Sequence, residues 1–181
     1  LGYRTQANSY DAWNAAQFEQ YIRELTYFGV NSIEGIPFHD DRPTPVMKTP
    51  RREMNRAIGD ICDRYGLDYW VWVPADFDLN DKAKRSHLLD QIGELSSDTK
   101  ELTGFFFPGG DPGKNPPELV LPFLEDTAKR MLPAHPKAKV WLSLQWFTPK
   151  QIDFVYQYLD RQNPDWFAGL VAGPSGPAIP K

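Results

Sequence analysis

The sequence has a single cysteine, Cys62, among 181 residues, so no internal disulfide can hold it together. None is needed at this length, because a chain of this size buries roughly 70% of the surface it exposes when unfolded. It has no run of 18 or more apolar residues, which excludes a membrane-spanning helix. It has no excess of one charge: 20 Lys and Arg stand against 24 Asp and Glu, for a net charge of -4. The one basic cluster, Lys48 to Arg56, is interrupted by Glu53 as a solvated helix face would be, so nucleic acid is not an expected partner. No G-x-G-x-x-G opens a helix and no G-x-x-x-x-G-K-[ST] occurs, which removes the common nucleotide-binding signatures and calls for no cofactor. No basic segment followed by an apolar one stands at the start, and Leu1 is not a methionine, so the chain reads as a processed or excised piece. A lone cysteine leaves the compartment open, the periplasm and the extracellular medium included.

What is present in excess is proline and aromatic residues. The 17 prolines are about 9% of the chain against a usual ~5%, and they cluster at 37–50, 74, 108–117 and 174–180. Between the clusters lie five short runs rich in β-branched and aromatic residues, at 32–36, 68–73, 102–107, 139–144 and 167–171. Each has the length and near-continuous apolar character of a strand buried on both faces; Gly2-Tyr3-Arg4 is a weaker sixth. Helical patterns alternate with them at 11–28, 50–65, 80–95, 116–132 and 148–160. Asp11 is placed to cap the first, Gly29 and Gly66 to end the first two, and Pro122 to start or kink the fourth. Strand-to-strand spacing of about 30 to 36 residues is the rhythm of βαβ units, which fits either a doubly wound open sheet or a (β/α)8 TIM-type barrel.

The placement of polar residues favours the barrel, whose active site is built at the C-terminal ends of its strands. Arg4, Gln6, Asn8 and Ser9 follow the first candidate strand, and His39, Asp40, Asp41 and Arg42 follow the second. Asp76, Phe77 and Asp78 follow the run at 68–73, Gly109 to Asn115 the run at 102–107, and Gln145-Trp146-Phe147 the run at 139–144. The connections entering the strands are short and chemically plain. Carboxylates and aromatics on one rim are the equipment of carbohydrate chemistry: rings stack on the C–H face of a sugar, and a carboxylate pair supplies acid with nucleophile or base. Asp111, Asp40, Asp41 and Asp76 are the candidate catalytic carboxylates. Arg4, Asn8, Glu34, His39, Phe77, Gln145 and Trp146 are the candidate substrate-binding residues. The competing reading makes Asp111 or Asn115 a cap for the following helix, and Trp70, Trp72 and Trp141 core. Glu34, inside an apolar strand, needs a partner such as Arg4 or an orientation toward the site.

The segment Phe107-Pro108-Gly109-Gly110-Asp111-Pro112-Gly113 resembles the end of the fourth strand in family 20 hexosaminidases and their relatives, whose motif reads H-x-G-G-D-E. In that family the Asp orients the substrate's 2-acetamido group and the Glu is the general acid. Gly109, Gly110 and Asp111 match, whereas Phe107 stands at the His position and Pro112 at the Glu position, so the resemblance carries over no general acid. More loosely, the segments Arg4 to Asn8, Pro37 to Pro43, Gly109 to Pro117 and Trp141 to Gln145 resemble the barrel of an uncharacterised bacterial glycosidase-like group related to α-glucuronidases and hexosaminidases. The resemblance implies a glycoside hydrolase acting on a glycan. A non-catalytic carbohydrate-binding barrel is the alternative. A metal-dependent hydrolase using His39, Asp40, Asp76 and Asp111 ranks below both, since no H-x-H motif and no metal-binding Cys/His pair occurs. A full barrel takes about 250 residues, so residues 1–181 are expected to form one barrel domain of about six β/α units, completed by chain beyond Lys181.

Overall fold

The computed structural model describes residues 12–35, 37–38 and 48–171. Its elements alternate without exception: α1 (Ala15–Tyr27), β1 (Ser32–Gly35), α2 (Arg51–Tyr65), β2 (Asp68–Trp72), α3 (Lys82–Asp98), β3 (Gly104–Phe107), α4 (Pro117–Met131), β4 (Lys139–Ser143), α5 (Pro149–Gln162) and β5 (Phe167–Val171). The candidate strand at Gly2-Tyr3-Arg4 and the proposed cap Asp11 lie outside the described residues.

Local chemistry sets most boundaries. Asn14 caps α1 through a reciprocal box with Gln17, and Thr148 does the same for α5 with Gln151, each pair satisfying two backbone donors left over at a helix start. Asp81 receives the backbone N–H groups of Ala83 and Lys84 at the start of α3. Gly66 ends α2 with φ +65 and Asn163 ends α5 with φ +39, the left-handed turn that releases a chain from a helix. Pro122 lies inside α4, which already begins at Pro117. Of the two expectations for Pro122, to start or to kink the helix, the first does not hold: Pro117 takes the first-turn position, where its missing N–H is no loss.

All five strands are parallel and stand in chain order, β1-β2-β3-β4-β5. A doubly wound sheet reverses its strand order at a switch point; among the described strands no reversal occurs. The helices pack on one another in the same sequence, α1 on α2 through α4 on α5. The result is a singly wound β/α layer.

The two faces of the sheet differ. Tyr69, Val71, Phe105, Phe107, Val140 and Leu142 are buried against the helices, where they meet Ile58, Ile92, Phe123 and Leu124. The alternate positions Trp70, Trp72, Phe106 and Trp141 are only half-buried, which corrects the expectation of strands buried on both faces. Two of these indoles lie over glycines of the next strand. A Cβ on Gly104 would come within 2.5 Å of the Trp70 ring, and one on Gly169 within 2.7 Å of the Trp141 ring. The two indoles meet edge to face at 5.8 Å, a favoured aromatic geometry.

Candidate functional site

The loop that leaves β3 turns at Gly109, whose φ is +74. A side chain there would strike the Ser143 carbonyl oxygen and come within 2.9 Å of the Gln145 carbonyl oxygen, so glycine is required both for the backbone angle and for the approach to β4. Gly110 then donates its N–H to the Gln145 carbonyl at 3.0 Å. These contacts bring the ends of β3 and β4 together and fix the next residue, Asp111. Its Oδ2 accepts a hydrogen bond from Gln145 Nε2 at 3.0 Å, and both side chains are half-buried. The amide leaves the second carboxylate oxygen for another partner, since a carboxylate accepts at about four lone-pair sites.

Neither residue expected to compete as a cap acts as one. The N-cap of α4 is Pro116, which receives no side-chain hydrogen bond. Asn115 instead reaches back to the loop after β2: Oδ1 accepts from the Leu79 N–H at 2.9 Å, and Nδ2 donates to the Phe77 carbonyl at 2.9 Å. Sequence reading gave Asn115 no such role. A buried amide facing 36 residues back along the chain has no local signature. Gly113 makes this clamp possible, because a Cβ there would lie 2.5 Å from Asn115 Nδ2 and 2.9 Å from the Phe77 carbonyl.

The remaining candidates are dispersed. Asp76 is exposed in the clamped loop, while Phe77 is half-buried and packs against the core. Asp78 accepts from the Asn80 N–H, and Asp81 rather than Asp78 caps α3. Trp146 follows Gln145 with φ +65 and is 60% exposed, an unusual pairing of a bulky side chain with left-handed backbone. Glu34 sits on the face of β1 turned away from the helices, beside Trp70 in the β1–β2 register. Solvent reaches its carboxylate, yet the surrounding sheet desolvates it enough to push its pKa above the ordinary carboxylate value. Arg4, Asn8, His39, Asp40 and Asp41 lie outside the described residues. His135, off the rim, bonds the Ser96 carbonyl at 2.8 Å.

A hollow of about 420 Å³ opens on the same face as Glu34, lined by Trp70, Phe106 and Trp141 among others; neither Asp111 nor Gln145 borders it. The Asp111–Gln145 pair and the hollow are thus two separate features, one at the C-terminal strand ends and one on the sheet face. Among the described residues no three His, Cys, Asp or Glu side chains converge as metal ligands do. No described helix is long and apolar enough to cross a membrane.

No protein-family model matches the chain, and no curated protein matches it in sequence. Solved structures do. A putative α-L-fucosidase from Bacteroides thetaiotaomicron superposes with a TM-score of 0.54 at 13% identity over 87% of this chain, which spans 45% of that one. The α-L-fucosidase AlfC, solved as an alanine variant in complex with Fuca(1,6)GlcNAc, gives a TM-score of 0.52 at 11% identity, covering 86% of this chain and 71% of the other. At such identities the likeness is one of fold: the parallel β/α arrangement of this chain is also that of the α-L-fucosidase structures.

Proposed function

We propose that the chain forms part of a (β/α)-barrel glycoside hydrolase, with Asp111 as the carboxylate at the reacting bond and Gln145 as the amide that orients it. The observation that carries this reading is the 3.0 Å bond between them at the ends of β3 and β4. Charge developing in the transition state of glycoside cleavage needs a carboxylate held in place by groups that do not themselves ionise, and an amide is such a group. The strand ends are also where barrel enzymes assemble their chemistry, and the shared fold of the α-L-fucosidase structures makes α-L-fucosides the first substrates to try. Asp76 and the acidic loop residues Asp40 and Asp41 are the partners proposed for the second carboxylate role. A separation of about 5 Å from Asp111 would give retention, and one of 6.5–9.5 Å inversion. Trp146, exposed beside Gln145, is the proposed sugar platform, with Phe77, His39, Arg4 and Asn8 binding hydroxyls or ring faces nearby.

The test is Asp111→Asn assayed on aryl glycosides, α-L-fucoside first. The expected loss is about 10²–10⁴-fold in kcat with the fold unchanged; an unchanged kcat on every cleaved glycoside would end the assignment. A second reading follows from Pro112, which stands where the hexosaminidase motif has its acid: a barrel that binds a glycan without cutting it. Saturable glycan binding with no product released would select that reading.

A further inference from the structure

We infer that Asn115 is a positioning residue of the rim: it holds Asp76 at a fixed distance from Asp111, and Asp76 is the second carboxylate of the site. This rests on the hydrolase reading above and narrows it, since that reading left the second carboxylate open among Asp40, Asp41 and Asp76. Asp76 stands between two backbone carbonyls that turn to the same side chain. Asn115 Nδ2 donates to the Phe77 carbonyl at 2.9 Å and lies 3.5 Å from the Ala75 carbonyl, while its Oδ1 holds the Leu79 N–H at 2.9 Å. Ala75, Phe77 and Leu79 are thereby tied to one buried amide. Ala75 and Leu79 are themselves buried, whereas Asp76 is exposed. Among the described residues its carboxylate has no hydrogen-bond or ion-pair partner. Asp78, the neighbouring acid, is engaged by the Asn80 N–H and the Asn80 side-chain amide.

The same amide belongs to the loop that carries Asp111. The Lys114 N–H donates to the Gly110 carbonyl and closes a turn around residues 111–113, while the Gly110 N–H is fastened to the Gln145 carbonyl. Gly113 touches the loop after β2 directly: a Cβ there would come within 2.2 Å of the Ala75 carbonyl oxygen and 2.9 Å of the Phe77 carbonyl oxygen. Gly113 is two residues along from Asp111, a span of at most about 7 Å. The backbones that carry Asp76 and Asp111 are therefore in contact across one tight turn, close enough for two carboxylates to flank one glycosidic bond, which takes about 5–9.5 Å. In such a pair one group gives its proton to the leaving oxygen as the glycosidic C–O bond breaks. The other either bonds the anomeric carbon or takes a proton from the attacking water. Both roles tolerate little displacement, since about 1 Å costs about 10²-fold in rate. A buried amide that binds backbone on both sides of an exposed acid supplies that precision.

The test is a double-mutant cycle on the phenyl glycoside of the sugar that the parent cleaves, a poor leaving group that makes cleavage depend on both carboxylates. Circular dichroism confirms that each variant is folded at the assay temperature. Asp76→Ala should lower kcat by about 10²–10⁴-fold, and Asn115→Ala by about ten-fold or more with KM changed less than about two-fold. Asn115→Ala combined with Asp76→Ala should be no slower than Asp76→Ala alone, because a residue that acts through Asp76 then has nothing left to position. A purely structural Asn115 would instead multiply its loss onto that of Asp76→Ala. If Asn115→Ala does not fold, Asp76→Glu carries the test. It alters one exposed side chain, keeps the charge, and should still cost about ten-fold or more in kcat, because the clamp fixes where the carboxylate starts. Multiplied losses in the double variant, or kcat kept within about two-fold by Asp76→Ala or Asp76→Glu, would overturn the proposal. Asp111→Asn assayed alongside separates the two claims. An inactive Asp111→Asn beside a fully active Asp76→Ala removes the inference and leaves the hydrolase reading. A fully active Asp111→Asn, or a parent that cleaves no glycoside, removes the reading and the inference with it.

Discussion

Replacing Asn115 by alanine should loosen the whole rim, because its side chain joins the loop after β2 to the loop after β3. Asn115 is 4% exposed and Leu79 is 3% exposed, so the Leu79 N–H left without its 2.9 Å acceptor would be orphaned away from water, at a cost of about 1–3 kcal/mol. The Phe77 carbonyl loses a donor as well, but Phe77 is half-exposed and water can replace it, so about 1 kcal/mol or less is added. The void left by the amide contributes a further fraction. The expected total is about 2–4 kcal/mol, which lowers a urea midpoint by about 1–2 M if m is near 2 kcal/mol/M. Asn115→Asp separates the two halves of the clamp. It keeps an acceptor for Leu79 but sets a carboxylate against the Phe77 and Ala75 carbonyls, so it should be no more stable than the alanine variant. Urea unfolding followed by circular dichroism measures both, and exchange of the Leu79 amide reports the loop directly. An aspartate variant as stable as the parent, or an alanine variant within about 0.5 kcal/mol of it, would show that the clamp does not hold the loops.

Two further outcomes follow from the same geometry. Gly109→Ala forces a side chain onto left-handed backbone and into the Ser143 carbonyl, so a loss of about 3 kcal/mol or more is expected by thermal or urea unfolding; a loss below about 1 kcal/mol would mean that the turn reshapes freely. Burial, with Glu101 adding to it, pushes the Cys62 thiol up to about 12. The folded state therefore keeps this proton at pH values where an unfolded thiol, near 8.5, has lost it. The stabilisation is complete below about pH 8.5 and fades toward pH 12, with a slope of at most about 1.4 kcal/mol per pH unit. Tyr69, raised by burial in the same direction, adds to the decline above its own unfolded value, so Cys62→Ala should flatten the slope without abolishing it. Ellman's reagent should leave the native thiol unmodified at pH 8 and react on unfolding; rapid native reaction would contradict the burial.

The β/α rhythm was legible in the chain because its signals are local. Alternating apolar runs and the stops at Gly29 and Gly66 required only neighbours in sequence, and each of the five expected strand and helix segments is present within a few residues. Gln145 and Asp111 both stand out by their strand-end positions, but their bond spans 34 residues and depends on β3 and β4 lying side by side, which the β/α rhythm alone does not specify. The clamp by Asn115 was invisible for the same reason. Trp70, Trp72 and Trp141, core on the competing reading, are half-buried on the face away from the helices, because composition cannot tell which alternate positions of a parallel strand face helices. In β2 the alternation puts Tyr69 and Val71 inward and Trp70 and Trp72 outward; a one-residue slip would exchange them.

The glycines decide what those outward tryptophans are for. A glycine in a strand interior costs roughly 0.5–1 kcal/mol relative to alanine through lost chain entropy, and here Gly104 and Gly169 each stand beneath an indole of the preceding strand. Were the rings there only to fill space, a larger residue beneath a smaller ring would cover the same area without that cost. The observed exchange, a large ring above and no side chain below, instead fixes ring orientation on the face turned away from the helices. Helix packing cannot impose it, because the helices cover the opposite face through Val71, Phe105, Val140 and Leu142. Ring placement on that face is therefore a property of the sheet's own register, kept separate from the core. Changes such as Gly104→Ala should disturb the rings through backbone collision with Lys139 as well as with Trp70, whereas shortening Trp141 to leucine should empty the wall and leave the strand pairing in place.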